Sequence, residues 1–411
     1  MRKWTYILFS ILIVLGAAAA YFWPTYQKAI AIKEASEMEN IADTFLNMGS
    51  MISKKDIPAA QVPQAFSKGP AIELPEAFNL KGQSFDTHQF LDSSFTQGLI
   101  VIQNDTLVYE SYARGQKAES QHISWSVAKS FISALFGIAM EEGYIKSVEQ
   151  KVEEYLPELK GSGYERVRIK DVLQMSSGVG FDENYGDPNS DIQRWFRAFA
   201  LGSSQDKFAA TLENERPPGT YHHYVSINTH VLGMILVKAT GKSLTDYLQE
   251  KIWEPLGAEY PCYWLVDNKG MEMALGGLNA TLRDYARLGQ LFLHEGEWEG
   301  EQLVPKSWVK ASVTPDAPHL MPDSKDSAHP DVGYGYQWWI PKGEEGEFLA
   351  VGVFNQFIYI NPKTGTVIAK NSANQNYYDT TNPYRGRLEH VALFRAIAHS
   401  LAHTSEQDSL Q

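Results

Sequence analysis

The chain carries a single cysteine, Cys262 in EYPCYWL, so no internal disulfide framework can form and stability has to come from packing. A lone cysteine flanked by aromatics reads as a small core hydrophobe. Positive charge is in short supply too. The 36 Lys and Arg against 49 Asp and Glu leave a net charge of −13, which argues against nucleic acid or anionic lipid as a partner of a general basic surface. There is no Gly-x-Ser-x-Gly elbow and no Gly-rich phosphate loop, which removes support for an α/β-hydrolase or a P-loop enzyme. Metal-ligand spacing is missing as well: His222 and His223 are adjacent, His230 follows seven positions on, and His294 in LHEGEW has no second histidine at helical spacing. Neither a metal nor a cofactor is expected. No repeat of solenoid or propeller period occurs.

What the chain does have is length and apolar content. Its 411 residues are 44% hydrophobic and 12% aromatic, enough for a large core. The opening MRKWTYILFSILIVLGAAAAYFW places Arg2 and Lys3 before an uncharged run from Trp4 to Trp23, long enough as a helix to span about 30 Å of hydrocarbon. Residues 1–23 therefore read as a signal anchor in the cytoplasmic membrane with the remainder exported, and Tyr21, Phe22 and Trp23 suit the far interface. The alternative is a signal peptide cut near Ala18 to Ala20, giving a secreted protein. Residues 24–75 combine helical apolar spacing with a loose Pro-bearing stretch and read as a stalk and linker. From 76 to 411 a catalytic-sized domain is expected.

Within that domain, GLIVIQ and TLVYESY flank Asn104-Asp105 and predict a β-hairpin. FLAVGVF, QFIYINP and TVIAKNSA predict further strands near the end, and RLEHVALFRAIAHSLAH has the spacing of a helix. Residues 131 to about 295 are mostly helix-like. Strands at both ends around a helical middle predict an α+β domain whose sheet is assembled from distant segments.

Ser126 and Lys129 in SWSVAKSF form a Ser-x-x-Lys pattern that recurs at Ser204–Lys207 and Ser307–Lys310. Positions three apart share a helix face, so a serine in a first helical turn has its hydroxyl beside the amine. Only Lys129 opens an apolar stretch, SFISALFGIAM, where desolvation lowers its pKa and lets it act as a base. Ser204 and Ser307 sit in polar surroundings and read as helix starts, with Ser203 or Ser204 capping. On these residues alone, capping and catalysis both remain open for Ser126.

The motifs SWSVAKSF, VRIKDVLQMSSGVGF, PPGTYHHYVSINTHVLG, IWEPLG and GGLNATLRDYARLGQLFL occur in an order that resembles the serine β-lactamase and penicillin-binding-protein superfamily on its class C side. The YVS motif, the FDENYGDPNSD loop, GYGYQWW and GVFNQ resemble its 6-aminohexanoate-dimer hydrolase branch. The resemblance spans roughly Gly98 to the C-terminus. It implies a β-lactamase/transpeptidase-like fold, with an antiparallel sheet of N- and C-terminal strands flanked by helices and a helical subdomain at roughly 131–295. It implies Ser126 as acylated nucleophile, Lys129 as base, Tyr224 as proton shuttle, an oxyanion hole from the backbone N–H groups of Ser126 and Val353 on an edge strand, and Tyr185 as a substrate contact. A tyrosine beside an ammonium is expected to lose its proton more easily than in water.

Two departures bear on substrate. Ser226 stands where the superfamily has Asn, and Ala350-Val351-Gly352 stands where a cation-x-Gly motif would grip a carboxylate. A small amide or ester is therefore the expected substrate, with a β-lactam or D-amino-peptide hydrolase and a non-catalytic ligand-binding scaffold as the alternatives. Trp338 and Trp339 are expected in the core.

Overall fold

The computed structural model describes residues 37–408, with Trp4, Trp23, Ile30 and Glu34 as single positions ahead of them. Apart from those positions, the expected anchor at 1–23 and the first part of the expected stalk lie outside the described residues. Among the described residues no helix is long and apolar enough to cross a membrane.

The main sheet draws strands from both ends of the chain: β1 (Ser67–Lys68), β2 (Thr96–Gln103), β3 (Thr106–Tyr112), β4 (Val332–Tyr334), β5 (Trp339–Pro341), β6 (Phe348–Gly352), β7 (Gln356–Asn361) and β8 (Thr366–Ser372). Their spatial order is β4-β5-β6-β7-β8-β2-β3-β1, so β8 pairs antiparallel with β2 and joins the two ends. Every pairing is antiparallel except the short β1–β3 contact. The β2–β3 turn places Asn104 at φ 46° and Asp105 at φ 62°, the left-handed pair that a two-residue hairpin turn requires.

The helices of ten or more residues among those described are α1 (Ala128–Glu141), α2 (Asp191–Ala200), α3 (Ser226–Thr240), α4 (Leu282–Leu293) and α5 (Arg387–Asp408); α4 packs on β2, β7 and β8, α5 packs on β7, and α1 packs on α3. The unbroken apolar run in β2 follows from burial on both faces. Ile100 and Ile102 join the core beneath α1 and α4, while Leu99 and Val101 face Val391, Leu393 and Ile397 of α5. Gly289 permits α4 to lie close on the sheet, because a Cβ there would meet Val367 Cγ1 at 2.5 Å. The middle of the chain is helical as expected, but it also lends Cys262–Leu265 and Leu278–Ala280 to a small sheet with His122–Ile123 and Lys54–Ile57.

That small sheet revises the expected stalk and linker in its described part. Lys54–Ile57 pairs with Cys262–Leu265, and Ile41, Phe45 and Met48 are buried in the main core. Their spacing of four and three is the helical apolar periodicity, and here it is satisfied by the domain itself. The Phe45 ring sits 5.3 Å from Trp125 and 5.1 Å from Phe354.

Candidate active site

Ser126 lies in a tight 3-10 turn, Trp125–Val127, that runs directly into α1. Trp125 adopts φ 45°, a left-handed conformation that is unusual for a bulky residue and carries strain of about 1–3 kcal/mol. The aromatic rings of Phe45, Phe196 and Phe354 hold it in place. The turn leaves Ser126 at the wall of a cleft of about 450 Å³ that is also lined by Glu183, Tyr185, Tyr224, Val353 and Arg387.

One turn along α1, Lys129 is 1% exposed, and its Nζ donates to Ser126 Oγ at 3.0 Å and to the Leu275 carbonyl at 2.5 Å. Burial lowers its pKa to about 7, with the Glu183 charge pulling the other way. Near neutral pH a large share of Lys129 is thus a free amine beside a serine hydroxyl. The rival patterns lack this setting: Lys207, Ser307 and Lys310 are exposed. Ser204 occupies the N-cap position of Gln205–Ala209 but makes no side-chain cap bond, and the Asp267 carboxylate accepts the Gln205 N–H instead.

Tyr224 reaches the same point from the segment before α3, with Lys129 Nζ 5.3 Å from its ring centre. The structure corrects the expectation that this tyrosine ionises easily. Burial, reinforced by the Glu183 charge, holds its hydroxyl well above the ordinary range, and the neighbouring Ser126 hydroxyl opposes this only in part. In the resting site Tyr224 is a proton donor. Trp339 stacks on it at 5.2 Å and lines the cleft, and it is also buried in the core, as is Trp338, so the core role expected for both tryptophans holds while Trp339 adds a wall of the cleft.

Val353 stands one residue past the end of β6, in the turn to β7, and lines the cleft with Ser126. β6 is not the outermost strand as expected. β5 pairs with it, but only through Trp339 and Leu349, so the end of β6 next to the cleft stays uncovered. Gly352 is required there, because a Cβ would lie 2.7 Å from the Ser124 carbonyl oxygen.

Tyr185 lines the cleft from the loop before α2, and its hydroxyl donates to Glu183 Oε1 at 2.8 Å. Glu183 is the residue the sequence reading missed. Its carboxylate accepts the Ser226 backbone N–H at 3.0 Å and the Ser226 hydroxyl at 2.5 Å. It therefore covers the short serine that replaces the superfamily's Asn. Burial raises its pKa, while Lys129 and Ser226 work against that rise. The only signal in the sequence was its place in FDENYGDP, the loop that the resemblance singled out. Arg385 and Arg387 were missed as well. They line the cleft, Arg385 from just before α5 and Arg387 from its first position, so cations are present although β6 supplies none. Arg387 donates to Asp331 at 2.8 Å and lies 4.2 Å from the Trp339 ring centre.

The histidines weighed as metal ligands are engaged separately. His222 Nδ1 is 2.9 Å from Ser327 Oγ, His230 Nε2 is 2.8 Å from Asp206, and His294 Nε2 is 2.6 Å from Asp105. Cys262 is buried in its strand, and burial pushes its thiol well above the ordinary range.

A serine and a desolvated lysine at the head of a buried helix, beside an antiparallel sheet of this topology, define a serine hydrolase of the β-lactamase/transpeptidase-like fold. It acts on amide or ester bonds. The Beta-lactamase family model matches residues 95–393, and the chain belongs to that family. It is 30% identical over 325 residues to the 6-aminohexanoate-dimer hydrolase of Paenarthrobacter ureafaciens, a match covering 77% of this chain and 82% of that protein. A solved structure from Bacillus anthracis, provisionally named a 6-aminohexanoate-dimer hydrolase, superposes with a TM-score of 0.76 at 27% identity over 90% of this chain and 95% of that one. A family VIII carboxylesterase shares the fold, with a TM-score of 0.57 at 14% identity over 81% and 99% of the two chains.

Proposed function

We propose that the protein hydrolyses small amides or esters through an acyl-enzyme on Ser126, in the manner of a 6-aminohexanoate-dimer hydrolase or a carboxylesterase. The observation that carries this reading is the 3.0 Å contact between Ser126 Oγ and a Lys129 amine whose pKa is lowered to about 7. Lys129 takes the Ser126 proton as Oγ attacks the carbonyl carbon. The N–H groups of Ser126 and Val353 hold the resulting oxyanion. When the tetrahedral adduct collapses, Tyr224 protonates the departing amine or alcohol and recovers a proton from the Lys129 ammonium beside its ring. Water then attacks the acyl-enzyme by the same route in reverse. Tyr185, fixed by Glu183, offers its ring and hydroxyl to the substrate.

Residues 1–23 act in this reading as a membrane anchor that leaves the catalytic domain on the exported side, with cleavage and secretion as the alternative. The catalytic domain then starts well before residue 76, since Ile41 to Ile57 pack into it. Arg385 and Arg387 at the cleft give a specific reason to test β-lactams and D-amino peptides beside neutral esters.

The test is steady-state hydrolysis of p-nitrophenyl esters, linear ω-amino-acid amides including the 6-aminohexanoate dimer, nitrocefin and D-Ala-D-Ala peptides, by wild type and Ser126→Ala. Turnover of an ester or linear amide that disappears in Ser126→Ala supports the proposal. Turnover confined to nitrocefin or D-Ala-D-Ala peptides replaces it with the carboxylate-directed reading. Turnover that survives in Ser126→Ala removes the nucleophile.

A further inference from the structure

A second cavity, of about 360 Å³, lies on the other side of the same aromatic wall. Tyr185 and Tyr378 line both this chamber and the cleft that holds Ser126, and the chamber is also lined by Trp125, the residue preceding the nucleophile. The rest of its lining is mostly apolar and comes from several separate parts of the chain, among them Ile41, Phe45 and Met48 from the N-terminal segment, Phe196 and Ala200 from α2, and Met273. Two of the polar side chains at its wall, Gln193 and Arg197, are directed to the adjoining loop. Gln193 Nε2 donates to the Tyr185 carbonyl and Arg197 Nη1 to the Pro188 carbonyl, each at 2.6 Å, so they pin the loop that carries Glu183. Such a space is of the size that takes a small ligand, and methionine walls adapt to flexible chains.

We infer that this chamber receives the acyl chain of the substrate, and that the enzyme acts on esters or amides of unbranched apolar acids of medium length. The inference rests on the serine-hydrolase reading and narrows its substrate class. The acyl carbon becomes bonded to Ser126 Oγ, so the acyl chain is the part of the substrate held in the cleft beside the nucleophile. Tyr185 and Tyr378, which line both spaces, are where cleft and chamber adjoin. Trp125 has a second use, lining the chamber as well as presenting the serine. The Met38–Ile52 stretch, which would be dispensable as a linker, becomes one wall of the specificity pocket.

The experiment is a chain-length series of p-nitrophenyl esters from butanoate to dodecanoate with the full chain, repeated on Ala200→Phe and Met51→Phe, which fill the chamber from two different walls. Each methylene entering an apolar pocket is worth about 0.8 kcal/mol, or about fourfold in kcat/KM, so the wild type should climb steeply to a maximum near octanoate. Either variant, once its thermal unfolding shows that it is folded, should lower the octanoate-to-butanoate ratio at least tenfold. A flat or falling series in an enzyme that cleaves butanoate overturns the chamber and leaves the hydrolase intact. So does a climbing series unchanged by both variants, which places the chain elsewhere. Absence of turnover on every ester and amide, with no covalent capture of Ser126, overturns the hydrolase reading and the chamber with it.

Discussion

Replacing Lys129 by methionine tests whether the fold bears the burden that the catalytic reading assigns to that residue. The amine is 1% exposed, and burial brings its pKa from an ordinary 10.5 to about 7. At about 1.36 kcal/mol per pH unit, a proton on Lys129 is about 5 kcal/mol harder to hold in the folded chain than in the unfolded one. For a base with a lowered folded pKa, the unfolded state binds more protons between pH 7 and 10.5. Lys129 therefore destabilises the fold most at and below neutral pH, and that penalty fades as pH rises through the window. Lys129→Met removes the penalty but leaves the Leu275 carbonyl and the Ser126 hydroxyl short of a donor, a loss of about 1–3 kcal/mol. The variant should be inactive yet more stable than wild type at pH 7, by about 2 kcal/mol, and slightly less stable near pH 10. Urea unfolding at the two pH values reads both numbers. A variant less stable than wild type at both would refute the claim that Lys129 is held desolvated.

Three further outcomes follow from the same geometry. Glu183→Gln removes the charge that raises the Lys129 pKa, so the rising limb of kcat/KM against pH should move to lower pH by about one unit or more; a limb that stays in place would show that Glu183 does not feel Lys129. Gly352→Ala sets a methyl 2.7 Å from the Ser124 carbonyl oxygen and should lower kcat at least tenfold while circular dichroism stays native, whereas unchanged kcat would mean that the β6 terminus does not set the serine turn. Lys370 is buried in the sheet, its amine donates to the Ser372 hydroxyl, and burial holds its pKa well below the ordinary value. Lys370→Met should raise the melting temperature at pH 7 with little change in kcat, and a lowered melting temperature would contradict that account.

Much of this architecture is legible in the chain because its signals are local and strong. The Asn104-Asp105 turn, the apolar strands on either side of it and the α5 periodicity each follow from one short stretch. The Ser126–Lys129 pair is legible because a helix fixes the distance between positions three apart. Glu183 was not, since nothing in the FDENYGDP loop says that it folds back over Ser226 from 43 residues away. The same holds for the Ile41–Ile57 segment. Its apolar spacing marks a helix, but whether that helix stands free or closes a core depends on a partner strand more than 200 residues on. The expectation for Tyr224 erred in the balance of forces: proximity to an ammonium was weighed, but burial and the Glu183 charge were not, and together they prevail.

The most direct test of the central claim is intact-mass and peptide mapping after exposure to a fluorophosphonate, on wild type, Ser126→Ala and Lys129→Met, across pH 5.5 to 8.5. The account predicts one adduct, on Ser126, absent from Ser126→Ala, greatly slowed in Lys129→Met, and formed in wild type at a rate that rises with a midpoint near the Lys129 pKa of about 7. An adduct on another residue, or no adduct on folded wild type at any pH, would contradict it.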